Sequence, residues 1–181
     1  MDGARDIPAP VRYGRREMLV GVAAVGSLAG CLGDVGGADT PFPRGRLPDE
    51  ADQRIGVVSN AFEPNVATIE AGETVYWTLE SGLHSVVLYH EANGTQHRVP
   101  EDIDPIDDEL EDGYLLKTFD REGVYDYFCK FHHDIGMVGS LVVGTPNPDE
   151  PGLSEPADGL PQDEIRAMND LVRVSFGIGG E

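Results

Sequence analysis

The segment Cys129-Lys-Phe-His132-His133-Asp-Ile-Gly-Met137 places a thiolate, imidazole and a thioether within nine residues. Sulfur donors of this kind suit copper, and one Cys, two His and a weak axial Met make the donor set of copper centres that pass single electrons. Either His132 or His133 can serve from inside the loop. A second imidazole must then come from another part of the chain. His84, in Gly82-Leu-His-Ser-Val-Val, lies 45 residues before Cys129 and is the candidate. Alone, Cys129 would read as a buried free thiol, a common fate for cysteine. In the company of His132, Met137 and His84 it reads as a ligand.

Ligands drawn from two distant segments need a fold that brings those segments to one end. Between Arg54 and Gly144 the chain breaks into short β-rich runs at Ile55–Ser59, Val66–Glu70, Thr74–Glu80, His84–His90, Tyr114–Asp120, Gly123–Cys129 and Gly139–Val143. Strands this short, punctuated by Gly and Pro, predict an all-β, antiparallel sandwich. Alternation gives each strand a core face: Val75, Trp77 and Leu79; His84, Val86 and Leu88; Tyr125, Tyr127 and Cys129. Tyr114–Asp120 is less regular, because Lys117 has the parity of Leu115 and Phe119. Gly136 and Gly139 would ease the turn that folds His132 and Met137 back toward Cys129. Glu91 to Gly113 reads as an acidic loop, of a length that is functional or mobile. Beyond Gly144 a Pro-rich stretch leads to a short helix over Gln162–Arg173, with Ile165, Met168, Leu171 and Val172 at helical spacing, expected to pack on the sandwich.

The remainder of the chain reads as an address and a tether. Arg15-Arg16 precedes a short apolar run, Met18 to Gly30, which is too brief for the roughly 20 residues that cross a bilayer. Paired arginines before such a run resemble a twin-arginine export signal, and Leu28-Ala29-Gly30-Cys31 resembles a lipobox whose cysteine is lipidated. The expected organisation is therefore a signal over 1–30, a flexible acidic tether over 31–53, a metal-binding domain over 54–144 and a tail over 145–181. Lipid on Cys31 would hold the domain at the outer face of the cell membrane.

The 181 residues carry 33 Asp and Glu against 13 Lys and Arg, a net charge of −20, and only two lysines. Such a surface repels nucleic acid and suits a very salty, halophilic habitat, where screening shortens the Debye length to about 3 Å at 1 M. Cleavage before Cys31 would remove Arg5, Arg12, Arg15 and Arg16 together with Asp2, Asp6 and Glu17, and leave the chain just as acidic.

Val75-Tyr-Trp, Gly82-Leu-His-Ser-Val-Val and the run from Gly123 to Val143 carry a resemblance to small blue copper proteins of the plastocyanin family, and most to the halocyanins. The resemblance covers about half of the chain. It implies a cupredoxin Greek-key sandwich with one type 1 copper held by His84 Nδ1, Cys129 Sγ, His132 Nδ1 and Met137 Sδ. The C-x2-H-x4-M spacing of that family selects His132 over His133. Two departures stand out: Phe131 where proline commonly precedes the ligand histidine, and Ser85 where asparagine commonly follows the first one. The implied role is an electron carrier, a monomer, working between membrane-bound donor and acceptor proteins outside the cytoplasm.

Five histidines with no His-x-His pair argue against a copper enzyme, which needs further centres. Four methionines, two of them before the expected cleavage point, weigh against a copper-delivery protein, the alternative from a different class. The remaining side chains read plainly: His90 lies too far from His84 to share its ion, His97 is solvated, and His133 sits at the rim beside Asp134. Phe128 marks either a second electron route or a packing position.

Overall fold

A computed structural model describes residues 51–111 and 113–179. The expected signal, Cys31 and nearly all of the tether lie outside the described residues. Among the described residues nine strands form two sheets: β1 (Gln53–Val58), β2 (Ala61–Glu63), β3 (Val66–Ile69), β4 (Glu73–Leu79), β5 (Ser85–Leu88), β6 (Asp107–Glu109), β7 (Tyr114–Phe119), β8 (Gly123–Phe128) and β9 (Val138–Val143). One sheet runs β2-β1-β4-β7 and the other β3-β9-β8-β5-β6. Most neighbours are antiparallel, but β1 pairs with β4 and β3 with β9 in parallel, so both sheets are mixed.

The sheets meet over one apolar layer. Ile55, Val57, Val75, Trp77 and Phe119 face Ile69, Val86, Leu88, Tyr125, Tyr127, Leu141 and Val143, and Cys129 and Met137 complete the same cluster. Trp77 stands edge-on to Tyr127 with ring centroids 5.7 Å apart, a favoured aromatic arrangement. The faces predicted from alternation are the faces that meet here.

Two short strands escaped the sequence pattern. Strand β6 consists of Asp107, Asp108 and Glu109, which carry no alternation, and it extends β5 at the sheet edge. Both lysines of the chain pair with it: Lys117 Nζ lies 2.8 Å from Asp108, and Lys130 Nζ lies 3.3 Å from Asp107 and 2.7 Å from Glu109. Lys117 breaks the parity of β7 because it reaches across to the edge of the other sheet. A charged edge also discourages pairing with another chain.

The outer face of the β3-β9-β8-β5 sheet is covered as well, which is why β8 and β9 are buried at every position. A helix, α1 (Gln162–Phe176), three residues longer than predicted, ends at Gly177 in the left-handed conformation. Its Ile165 and Met168 pack on Val87, Tyr89, Phe128 and Val138, while Val172 and Leu153 pack on Val124 and Val142. No described helix is long and apolar enough to cross a membrane.

The segment after β5 is pinned rather than loose. Arg98, fully buried, donates from Nε to the equally buried Asp126 Oδ2 at 2.8 Å. Its remaining donors reach Gly152 O and, at 2.9 Å, Ser154 O. One side chain thus ties the acidic loop, β8 and the C-terminal tail together.

Candidate metal centre

Strand β8 delivers Cys129 as the first residue beyond its end, fully buried. Three backbone bonds then wind the loop into a closed turn: Cys129 N–H to Met137 O, His132 N–H to Cys129 O and Met137 N–H to His132 O, each at 3.1 Å. Gly136 takes φ +85° to close it. Gly139 has no such angle. It lies in β9 opposite Tyr127, whose ring a Cβ would strike, so its role is steric.

His84 enters from β5, the neighbour of β8, one residue before the strand begins. Its Nδ1 lies 3.7 Å from Cys129 Sγ, and His132 Nδ1 lies 3.5 Å from the same sulfur. The two imidazoles stand with centroids 4.7 Å apart and tilted by 34°. Met137 is buried in the same core cluster as Cys129. The structure therefore brings His84, Cys129 and His132 to one point, and the backbone bonds of Met137 to Cys129 and His132 close the loop around it.

His133 goes elsewhere. Its Nε2 is 2.8 Å from Tyr89 OH and its half-buried ring packs on Phe128, with Asp134 close enough to act on it electrostatically. Phe128 is itself covered by α1, which removes it as an exposed second route.

Burial, followed by the nearby His132, pushes His84 below the ordinary imidazole pKa, and a bond involving the Ser81 backbone pulls the other way. A neutral ring keeps its lone pair for a metal. Gly82, at φ +91°, would place a Cβ 3.1 Å from His84 Nε2, so this glycine clears the space the ring occupies. That steric role depends on how the ring is placed and is not written in local spacing. Leu83, Phe131 and Ile135 are exposed apolar residues, each one to three positions from a histidine of the cluster.

A family profile described as copper binding proteins, plastocyanin/azurin family, matches residues 52–144. Chloroplast plastocyanin of Tetradesmus obliquus is 35% identical over 128 residues, covering 67% of this chain and 86% of its own. The chain belongs to the plastocyanin/azurin family. Plastocyanin of Scenedesmus fuscus is 34% identical over half of this chain and 95% of its own. Among solved structures, pseudoazurin of Methylobacterium extorquens AM1 aligns at a TM-score of 0.55 with 20% identity, covering 67% of this chain and 99% of its own. Pseudoazurin of Hyphomicrobium denitrificans aligns at 0.55 with 23% identity, over 65% and 95%. These two likenesses establish the cupredoxin fold. The family binds copper, and the donors gathered here (a buried thiol, two imidazoles and a thioether) fit that ion. As a family member the chain is a blue copper electron-transfer protein, not an enzyme.

Proposed function

We propose that this protein carries single electrons between membrane redox partners on the extracytoplasmic side, with His84 Nδ1, Cys129 Sγ, His132 Nδ1 and Met137 Sδ as its copper ligands. The observation that carries the ligand assignment is the approach of two imidazole nitrogens to the buried Cys129 sulfur, at 3.5 and 3.7 Å. Bound copper supplies the one-electron chemistry by alternating between Cu(I) and Cu(II). The protein supplies the rest. The loop bonds around Cys129 and Met137 and the neighbouring strands hold the donors before an ion arrives, so little needs to move when the charge changes.

His132 is the half-buried member of the cluster, and its ring edge is the proposed point of electron entry. The exposed Leu83, Phe131 and Ile135 give it an apolar rim on which a partner protein can dock. The twin-arginine and lipobox motifs support export and a lipid on Cys31. The acidic, lysine-poor composition supports a halocyanin-like carrier from a salty habitat.

The test is optical. Cu(II) added to the purified protein should give an intense visible sulfur-to-copper charge-transfer band, and Cys129→Ser should abolish it. A weakly coloured complex would reject the ligand set. Stopped-flow reduction by membrane fractions, with and without Cys31→Ser, tests the carrier role and the anchor.

A further inference from the structure

Taken singly, His90 and His97 suggest nothing beyond a capping and a solvated residue. The fold places them together. Tyr89 O accepts from Arg98 N–H at 2.8 Å, which closes residues 90–97 into a short loop and makes its first and last members neighbours. Thr95 Oγ1 donates to His90 O at 3.2 Å inside it, and the Arg98 guanidinium anchors one end in the core beside Asp126. The His90 and His97 rings meet edge to face, with centroids 5.3 Å apart.

Glu91 completes the group. A ring nitrogen from each histidine and a Glu91 oxygen lie within 4.8 Å of one another. Glu91 Oε2 is 3.6 Å from His90 Nδ1 and in direct contact with His97 Nδ1. Tetrahedral coordination at zinc bond lengths sets donors roughly 3.3 Å apart, so small movements of the exposed Glu91 side chain suffice. His90 Nδ1 accepts from Ala92 N–H at 3.0 Å, so it presents a lone pair on this side, and coordination would replace that capping bond.

The far nitrogen of His97 is the independent sign. Nε2 is buried and has no hydrogen-bond partner, with Glu101 Oε1 waiting at 4.0 Å. A carboxylate at that place is what orients a metal-ligating histidine through its second nitrogen.

We propose that His90, Glu91 and His97 form a second metal site, for a borderline divalent ion such as Zn2+, with water in the open fourth position. It is separate from the copper centre, since His90 lies six residues beyond His84, about 20 Å at strand rise. Three protein ligands and an open position make it a solvent-facing site, and the bound ion would brace the loop that Arg98 anchors.

The experiment uses the full chain already loaded with copper, titrated with Zn2+ by calorimetry while the visible band is followed. One Zn2+ per chain should bind without loss of colour, and both His97→Gln and Glu91→Gln should weaken it at least ~10-fold. Both variants leave the copper ligands and the buried core intact, and an unchanged band reports that they fold. No saturable binding at millimolar Zn2+, or full affinity retained in either variant, overturns the site. Because the visible band belongs to Cys129, its presence or absence judges the copper assignment independently of the zinc result.

Discussion

Ser85 Oγ lies 3.9 Å from Cys129 Sγ and accepts the Lys130 backbone N–H at 2.9 Å, so one hydroxyl links the sulfur to the first turn of its own loop. The hydroxyl donates toward the sulfur. Negative charge on that sulfur is greater in the reduced state, and a donor therefore favours reduction. At this length the bond lies at the weak end of the range, about 0.5 kcal/mol, equivalent to roughly 20 mV for one electron. Ser85→Ala should lower the reduction potential by about that much in protein-film voltammetry. An unchanged potential would mean that Ser85 serves only the Lys130 amide.

Gly82 controls the placement of His84. At φ +91° an alanine at position 82 strains its backbone, and its Cβ, 3.1 Å from Nε2, also makes the ring give by a few tenths of an ångström. The strain should cost about 1–3 kcal/mol in urea unfolding. Turning the ring should also weaken copper retention, read by competition with a chelator. Equal copper affinity in Gly82→Ala and wild type would show that the ring has room to adapt.

The two segments that meet at His84, Cys129 and His132 and the seven principal strands were legible because a single sequence records local spacing and alternation. What it could not record was the contact between distant segments. Asp126 sits between Val124 and Phe128 on the face of β8 that alternation assigns to solvent. Nothing near it in sequence announces Arg98 as its partner or α1 as its cover. Strand β6 was hidden for a related reason: Asp107, Asp108 and Glu109 become a strand only because β5 and the two lysines lie alongside. The parallel ladders β1–β4 and β3–β9 likewise depend on pairings across the fold.

Arg98 is the consequence of that hidden contact with the largest expected effect. Arg98→Met would leave Asp126 buried without its cation, and removal of one partner from a buried pair costs about 3–5 kcal/mol. The Gly152 and Ser154 carbonyls would lose their donors as well. Urea unfolding should show the loss. Hydrogen exchange should accelerate in Gln162–Phe176 before it does in β4.

The same pair carries a pH signature. Burial pushes the Asp126 carboxyl up to about 6, outweighing the downward pull of Arg98. An unfolded Asp titrates near 3.9, so between these values the folded chain holds the extra proton. Stability from this group is then full below about pH 4 and declines as pH rises through 6. The gap corresponds to something on the order of 3 kcal/mol. Asp126→Asn does not titrate, so the wild-type minus variant difference in unfolding free energy should fall between pH 4 and 7. A difference that grows with pH would mean that Arg98 dominates the carboxyl.

The helix α1 tests whether stability and spectroscopy are separable. Ile165 is fully buried against Val87, Tyr89, Phe128 and Val138, all on the outer face of the sheet that carries Cys129. Its removal opens a cavity on the side of the sheet away from His84 and His132. Ile165→Ala should cost about 2–5 kcal/mol, as buried aliphatic truncations do. Phe128 and Cys129 are adjacent but point to opposite faces, so a cavity behind Phe128 leaves the Cys129 sulfur with the same neighbours. The visible band of the copper-loaded variant should keep its position and intensity while the urea midpoint falls. A shifted band would show that packing under the helix is transmitted through β8 to the ligand sulfur. The tail would then tune the copper centre as well as stabilise the domain.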